Sequence, residues 1–153
     1  TIIVTHQKEF EHGTRRRRWP HPVGTNQLGE AFSNVETIAV PFDGEALHLK
    51  SIVTHMDPTT LVAPTGPLGD QVLEAMKADE RGYQTIVRLP NLLSCNVVVV
   101  NGGILAQDGG CGESKALLQA AAAERNLKIE FLDLSETAKC DGALTCRSVL
   151  LEI

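Results

Sequence analysis

The chain has 153 residues, 42% of them hydrophobic, and 14 basic against 19 acidic side chains give a formal net charge of −5. That makeup fits one compact globular domain, residues 1–153, and offers no electrostatic footprint for nucleic acid or an anionic membrane. The longest apolar run, Asn96 to Ile104, falls short of the roughly 20 residues that span a bilayer and is broken at Asn101-Gly102-Gly103.

Thr1-Ile2-Ile3-Val4-Thr5 reads as a core strand. Residues 11–24 read as a surface insertion. Arg15 to Arg18 are the one charge run in the chain, but Trp19-Pro20-His21-Pro22 interrupts any helix and no basic face extends from the run, so a solvated loop is expected there and not a phosphate site. Thr25 to Pro41 carries a helix and a closing strand. Next come an opening strand at Leu47 to Val53, a second at Thr60 to Ala63, a helix over Leu68 to Asp79 and a closing strand at Tyr83 to Leu89. The same order returns at Asn96 to Val100, Ile104 to Ala106, Glu113 to Asn126 and Lys128 to Leu134.

Leu47 and Asn96 are 49 residues apart, and a further 49 reaches Thr145, where a third copy opens with one short strand ending in Val149-Leu150-Leu151-Glu152-Ile153. The chain is therefore an α/β protein built of repeated ββαβ units, about three of them. Units of this size bury their faces against their neighbours, around an axis or along a solenoid. Apolar strands at both ends, where a solenoid would carry polar caps, favour an incomplete ring. Val97 to Val100 is β-branched without alternation, which suits a central strand covered on both sides. Glu113 to Arg125 is rich in Ala and Leu, with an acid in its first turn, as a helix dipole favours. The chain starts at Thr1 without a basic, apolar, small-residue leader; it reads as a partial segment and not a secreted precursor, and the cytoplasm is the expected compartment.

Cys95, Cys111, Cys140 and Cys146 lack the Cys-x-x-Cys spacing of a structural zinc site, and a core of this size does not need disulfides. Gly102-Gly103 and Gly109-Gly110 read as turn residues and lack the context of a dinucleotide-binding motif, so no cofactor is signalled. Among the five histidines, His55 reads as a loop residue before Met56-Asp57-Pro58, and His6, His12 and His21 fall in an irregular N-terminal stretch. That leaves His48, in Leu47-His48-Leu49-Lys50-Ser51, and Cys146, in Leu144-Thr145-Cys146-Arg147-Ser148. Both open a repeat unit. Equivalent opening strands around an axis would bring them together across 98 residues, and a thiol beside an imidazole is a nucleophile with its proton-transfer partner.

Leu47-His48-Leu49-Lys50-Ser51 together with Asp141-Gly142-Ala143-Leu144-Thr145-Cys146-Arg147-Ser148-Val149-Leu150 resembles dimethylarginine dimethylaminohydrolase, of the guanidine-modifying (amidinotransferase, or pentein) superfamily. Thr25-Asn26-Gln27 with Gly29, and Leu93-Ser94-Cys95-Asn96, also fit its pattern. The resemblance runs over nearly the whole chain but covers about the C-terminal half of a family member, whose fold is a five-unit αβ propeller. It implies hydrolysis of Nω-methylated L-arginine to L-citrulline and a methylamine without a cofactor. Cys146 would be the nucleophile, His48 the proton donor and acceptor, and the Cys140 backbone carbonyl a substrate contact. Zinc captured by Cys146 beside His48 would inhibit such a site.

Two features depart from the family pattern. The carboxylates that grip the guanidinium belong to the missing N-terminal half, and Gly24 replaces an Arg that helps hold the substrate carboxylate. Arginine deimination, amidino transfer and a non-catalytic half-propeller interaction module are the alternative readings. An open fragment exposes strand edges and an apolar face, so self-association or pairing with an N-terminal half is expected.

Overall fold

The computed structural model describes residues 2–12, 15–19, 22–42, 46, 48–140 and 142–150, with residues up to 25 and residue 79 described through their backbone only. Thr1, Pro20, His21, Leu47, Asp141 and Leu151 to Ile153, all used in the sequence reading, lie outside the described residues. Among the described residues nine strands form three separate three-stranded sheets: β1 (Ile2–His12) lies between β2 (Arg15–Trp19) and β3 (Glu36–Pro41), β5 (Thr60–Pro64) between β4 (Thr54–Asp57) and β6 (Thr85–Leu89), and β8 (Gly103–Gln107) between β7 (Val97–Val100) and β9 (Lys128–Leu132). Helix α1 (Pro22–Ala31) precedes β3, α2 (Pro67–Ala75) joins β5 to β6, α3 (Gly112–Glu124) joins β8 to β9, and the short α4 (Ser135–Ala138) follows.

The second and third sheets carry the predicted ββαβ order: an antiparallel pair, then a helix, then a strand parallel to the second. Their strands repeat at 43 residues and not 49; Thr54 and Val97, for example, are 43 apart. The helix ends do keep the longer offset. Lys77 (φ 51°) and Asn126 (φ 55°) each stand in the left-handed conformation that ends their helix. In each the next N–H returns five residues, Ala78 to the Leu73 carbonyl at 3.1 Å and Leu127 to Ala122 at 3.0 Å. The extra residues after α2 form a 3-10 turn, Asp79–Arg81, before β6.

Several predicted elements are corrected. The opening strand placed at Leu47 to Val53 contains a 3-10 turn, Leu49–Ser51, and its strand starts only at Thr54. The third copy likewise opens with a 3-10 turn, Thr145–Arg147, and Ser148 to Leu150 form no strand; Val149 and Leu150 are 83% and 63% exposed. β4 and β7 are edge strands of their own sheets, packed beside each other, because the second strand of each unit takes the middle place. Arg15 to Arg18, read as a loop, form β2, an antiparallel partner of β1; His6 and His12 lie on β1, and His55 lies within β4.

Each core spans two units. Val40 of β3 and Phe42 just after it pack with Ile52, Leu61, Val72 and Met76 of the second unit. Met56, Val62 and Leu89 of the second pack with Val97, Ile104, Leu118 and Ala122 of the third. Helices follow the same rule, α2 touching β3 and α3 touching β6. Polar pins repeat it too. Arg81 donates to the Met76 carbonyl at the end of α2 and forks onto Glu36 of β3, while Arg125 donates to the Ala121 carbonyl near the end of α3 and to Asp57 of β4 at 2.8 Å. A cation at a helix C-terminus complements the dipole, so each arginine serves its own helix and its neighbour's sheet.

No helix among the described residues is long and apolar enough to cross a membrane. At Gly69 a Cβ would stand 2.0 Å from the Pro64 carbonyl oxygen, so α2 lies against the end of β5 at a distance only glycine permits. Gly69→Ala is therefore expected to cost about 1–3 kcal/mol in a urea titration. Burial alone would push the Asp57 carboxyl up, but the Thr60 and Thr59 hydroxyls, the Thr59 N–H and Arg125 hold it down to about 2 from 3.8. Stability from this group is then fully present above about pH 4 and is lost as the pH falls towards 2. Asp57→Asn should flatten that limb of the unfolding midpoint against pH and cost about 1 kcal/mol at pH 7.

Candidate active site

His48 sits in extended conformation (φ −133°, ψ 145°) immediately before the Leu49–Ser51 turn, and its carbonyl closes that turn by accepting the Ser51 N–H at 3.0 Å. Buried Leu49 and Ile52 anchor the turn in the first core, which leaves the His48 ring exposed. Cys146 occupies the middle of the second turn, Thr145–Arg147. There Leu144 is the buried anchor, and its carbonyl accepts both the Arg147 N–H and, at 2.8 Å, the Ser148 hydroxyl. These anchors bring the exposed Cys146 Sγ to 3.8 Å from His48 Nδ1 across a sequence separation of 98.

That distance is within hydrogen-bond reach for sulfur, so a proton can pass between thiol and imidazole. Both side chains are exposed, so the thiol and the imidazole face solvent. Beside it lies a cavity of about 330 Å³ between β4 and β7, lined by Leu49, Lys50, Val53, Val97, Thr145 and Ser148 among others. Neither His48 nor Cys146 lines the cavity; it adjoins the turns that carry them.

Cys140 follows α4 and is exposed, and its N–H reaches the Thr137 carbonyl at 3.1 Å. Thr137 also receives the Gly142 N–H, drawing the chain back towards the Cys146 turn. A Cβ on Gly142 would stand 2.2 Å from Arg147 Nε, so the Arg147 guanidinium occupies the space a side chain would need. Gly24 and Thr25-Asn26-Gln27 fall within α1. His55 Nε2 stands 2.8 Å from the Tyr83 hydroxyl; burial holds its pKa below the ordinary histidine value, and the Lys50 charge lowers it further.

All four cysteines are free thiols. Burial pushes Cys95 up to about 12. Cys111, at the start of α3, is lowered by the Ser114 hydroxyl and N–H, a feature sequence reasoning passed over. Among the described residues no three His, Cys, Asp or Glu side chains gather as a metal site, so Cys146 and His48 would offer zinc two ligands.

The largest omission from the sequence reading is Asn96. It is 1% exposed and touches both turns: Nδ2 donates to the Lys50 carbonyl at 2.7 Å and to Thr145 Oγ1 at 2.9 Å, while Oδ1 accepts the Thr145 N–H at 2.9 Å. The repeat paired Asn96 with Thr145 as equivalents, 49 residues apart; they are bonded to each other. The sequence signals were the Leu93-Ser94-Cys95-Asn96 match to the family pattern and an amide directly before four valines, and neither gave Asn96 a role.

No family model matches the chain, and no curated protein matches it. Solved structures do. Agmatine deiminase of C. jejuni, in a Cys-to-Ser form with substrate bound, is similar at a TM-score of 0.62 and 15% identity over 81% of this chain and 44% of its own. DDAH of Pseudomonas aeruginosa, a Cys-to-Ser mutant complexed with citrulline, gives 0.62 and 18% over 82% and 46%. The N-terminal domain of ArgZ bound to product, an arginine dihydrolase from cyanobacteria, gives 0.60 and 19% over 84% and 46%. The chain thus spans a little under half the length of these neighbours, and over that half it shares their fold.

Proposed function

We propose that this chain carries the thiol and imidazole of a guanidine-modifying hydrolase, acting on Nω-methylated L-arginine. The observation that carries the reading is the 3.8 Å approach of Cys146 Sγ to His48 Nδ1. The similarity to enzymes named for agmatine, arginine and dimethylarginine chemistry supports the substrate class.

In this reading the Cys146 thiolate attacks the guanidinium carbon and a C–S bond forms. The bond to the methylated nitrogen breaks as His48 gives that nitrogen its proton, leaving a covalent thiouronium. His48 then takes a proton from water, the hydroxide adds to the same carbon, and the C–S bond breaks to return the thiolate and release citrulline, the proton left on its new oxygen passing to solvent, where the freed amine takes one up. Splitting one hard substitution into two is what a covalent nucleophile contributes. The Cys140 carbonyl is assigned to the substrate. The repeated seams, each helix on the preceding unit's closing strand, suit an αβ propeller of which this chain forms part. Exposed Val149 and Leu150 suit association with a second copy or an N-terminal half that supplies the guanidinium carboxylates.

The test is citrulline release from dimethylarginine and from arginine. Cys146→Ser should abolish turnover, and His48→Ala should lower it by about 10²–10⁴-fold. Turnover that survives Cys146→Ser sinks the covalent mechanism. A wild-type chain that releases no citrulline either alone or with an N-terminal half added points instead to a non-catalytic interaction module.

A further inference from the structure

We infer that Asn96 is the positioning residue of the Cys146–His48 pair, the single amide that sets how closely the two turns approach. The inference rests on the proposed reading of that pair as reactive. His48 and Cys146 are both exposed, each on its own 3-10 turn, and 98 residues separate them. No strand ladder among the described residues connects the two turns.

Asn96 does connect them. Both protons of its Nδ2 are used, one on the Lys50 carbonyl two residues past His48 and one on Thr145 Oγ1, next to Cys146; its Oδ1 takes the Thr145 N–H. A flipped amide would set Nδ2 against the Thr145 N–H and Oδ1 against the Lys50 carbonyl, so both turns select the same orientation. The Asn96 backbone is itself held on either side. Thr54 Oγ1, on β4, donates to the Cys95 carbonyl at 2.6 Å and accepts the Val97 N–H at 3.4 Å. Thr54 is 6% exposed and Asn96 1%, so water competes poorly for these bonds and their loss would leave buried groups unpaired. Asn96 reaches the residues flanking the reacting pair and acts through them. A misplacement of about 1 Å between reacting groups can cost about 10²-fold in rate.

The test reads the pair without turnover. Carbamidomethylation by iodoacetamide at pH 6.5 is followed by peptide mass spectrometry in the full chain, with exposed Cys140 as the reference thiol in the same molecule. His48 Nδ1 stands where it can take the thiol proton as the sulfur attacks, so Cys146 should react about tenfold faster than Cys140 in the wild type, and His48→Ala should erase that advantage. Asn96→Asp, which keeps the shape but loses the Lys50 and Thr145 Oγ1 donations, should erase it as well. Thr145→Val, which keeps the volume and removes one acceptor, should reduce it at least threefold, and Thr145→Ser should restore it. The Thr145 pair decides the matter if Asn96→Asp does not fold. An advantage lost in His48→Ala but kept in folded Asn96→Asp and in Thr145→Val overturns the role of Asn96 and leaves the reactive pair standing. If wild-type Cys146 reacts no faster than Cys140 and His48→Ala changes nothing, the reactive pair and the inference fall together.

Discussion

Each of the three sheets completes its own hydrogen-bond ladder, and among the described residues no backbone hydrogen bond runs from Thr54–Leu89 to Val97–Leu132. Side chains alone therefore hold those two units side by side. The apolar share of that task is the larger, since burying a Leu or Ile contributes roughly 1.5–3 kcal/mol and both cores straddle a boundary between units. Apolar packing is not directional, however. Register between neighbours falls to a few polar side chains: Arg81 on Glu36, Arg125 on Asp57, Thr54 around Asn96, and Asn96 on both turns. The hydrogen bonds of buried Thr54 and Asn96 contribute about 1 kcal/mol each net, and together with the two arginines they decide where the units stop sliding.

The reactive geometry inherits this arrangement. His48 belongs to the turn that opens the second sheet, and Cys146 to the turn that follows the third. Neither turn is long enough to hold itself in place, so each relies on one buried leucine, Leu49 or Leu144, and on the shared amide. The exposed pair contrasts with the buried Asn96 that bonds both turns.

How much of this was legible in the sequence depends on range. Helices and closing strands could be read because their periodicity is local, and Val97 to Val100 marks a strand by composition alone. The first strands were misplaced because Leu47 to Val53 is apolar enough to look extended, while the 3-10 turn within it carries no residue signature. The repeat length was misjudged because the opening strand was started at Leu47, ahead of the turn, while the true strand begins at Thr54 and its counterpart at Val97. The approach of His48 to Cys146 was anticipated from symmetry and from the resemblance. The bonds of Asn96 to both turns could not be read, because an amide before four valines shows its partners only after folding. His55 was read as loop because Pro58 stands close by, yet the proline falls after β4 and leaves the strand intact.

The six residues that separate the two repeat offsets have a meaning of their own. They lie between the left-handed Lys77 and the start of β6, and Arg81 bolts them to the Met76 carbonyl and to Glu36. In the third sheet Asn126 passes to β9 almost directly. The helix with its leading loop and the handover to the closing strand thus exchange residues, the third sheet's longer helix side matching its shorter handover, so both ladders keep their spacing. An architecture built this way can shift chain from one side of a helix cap to the other without disturbing the residues that face its neighbour.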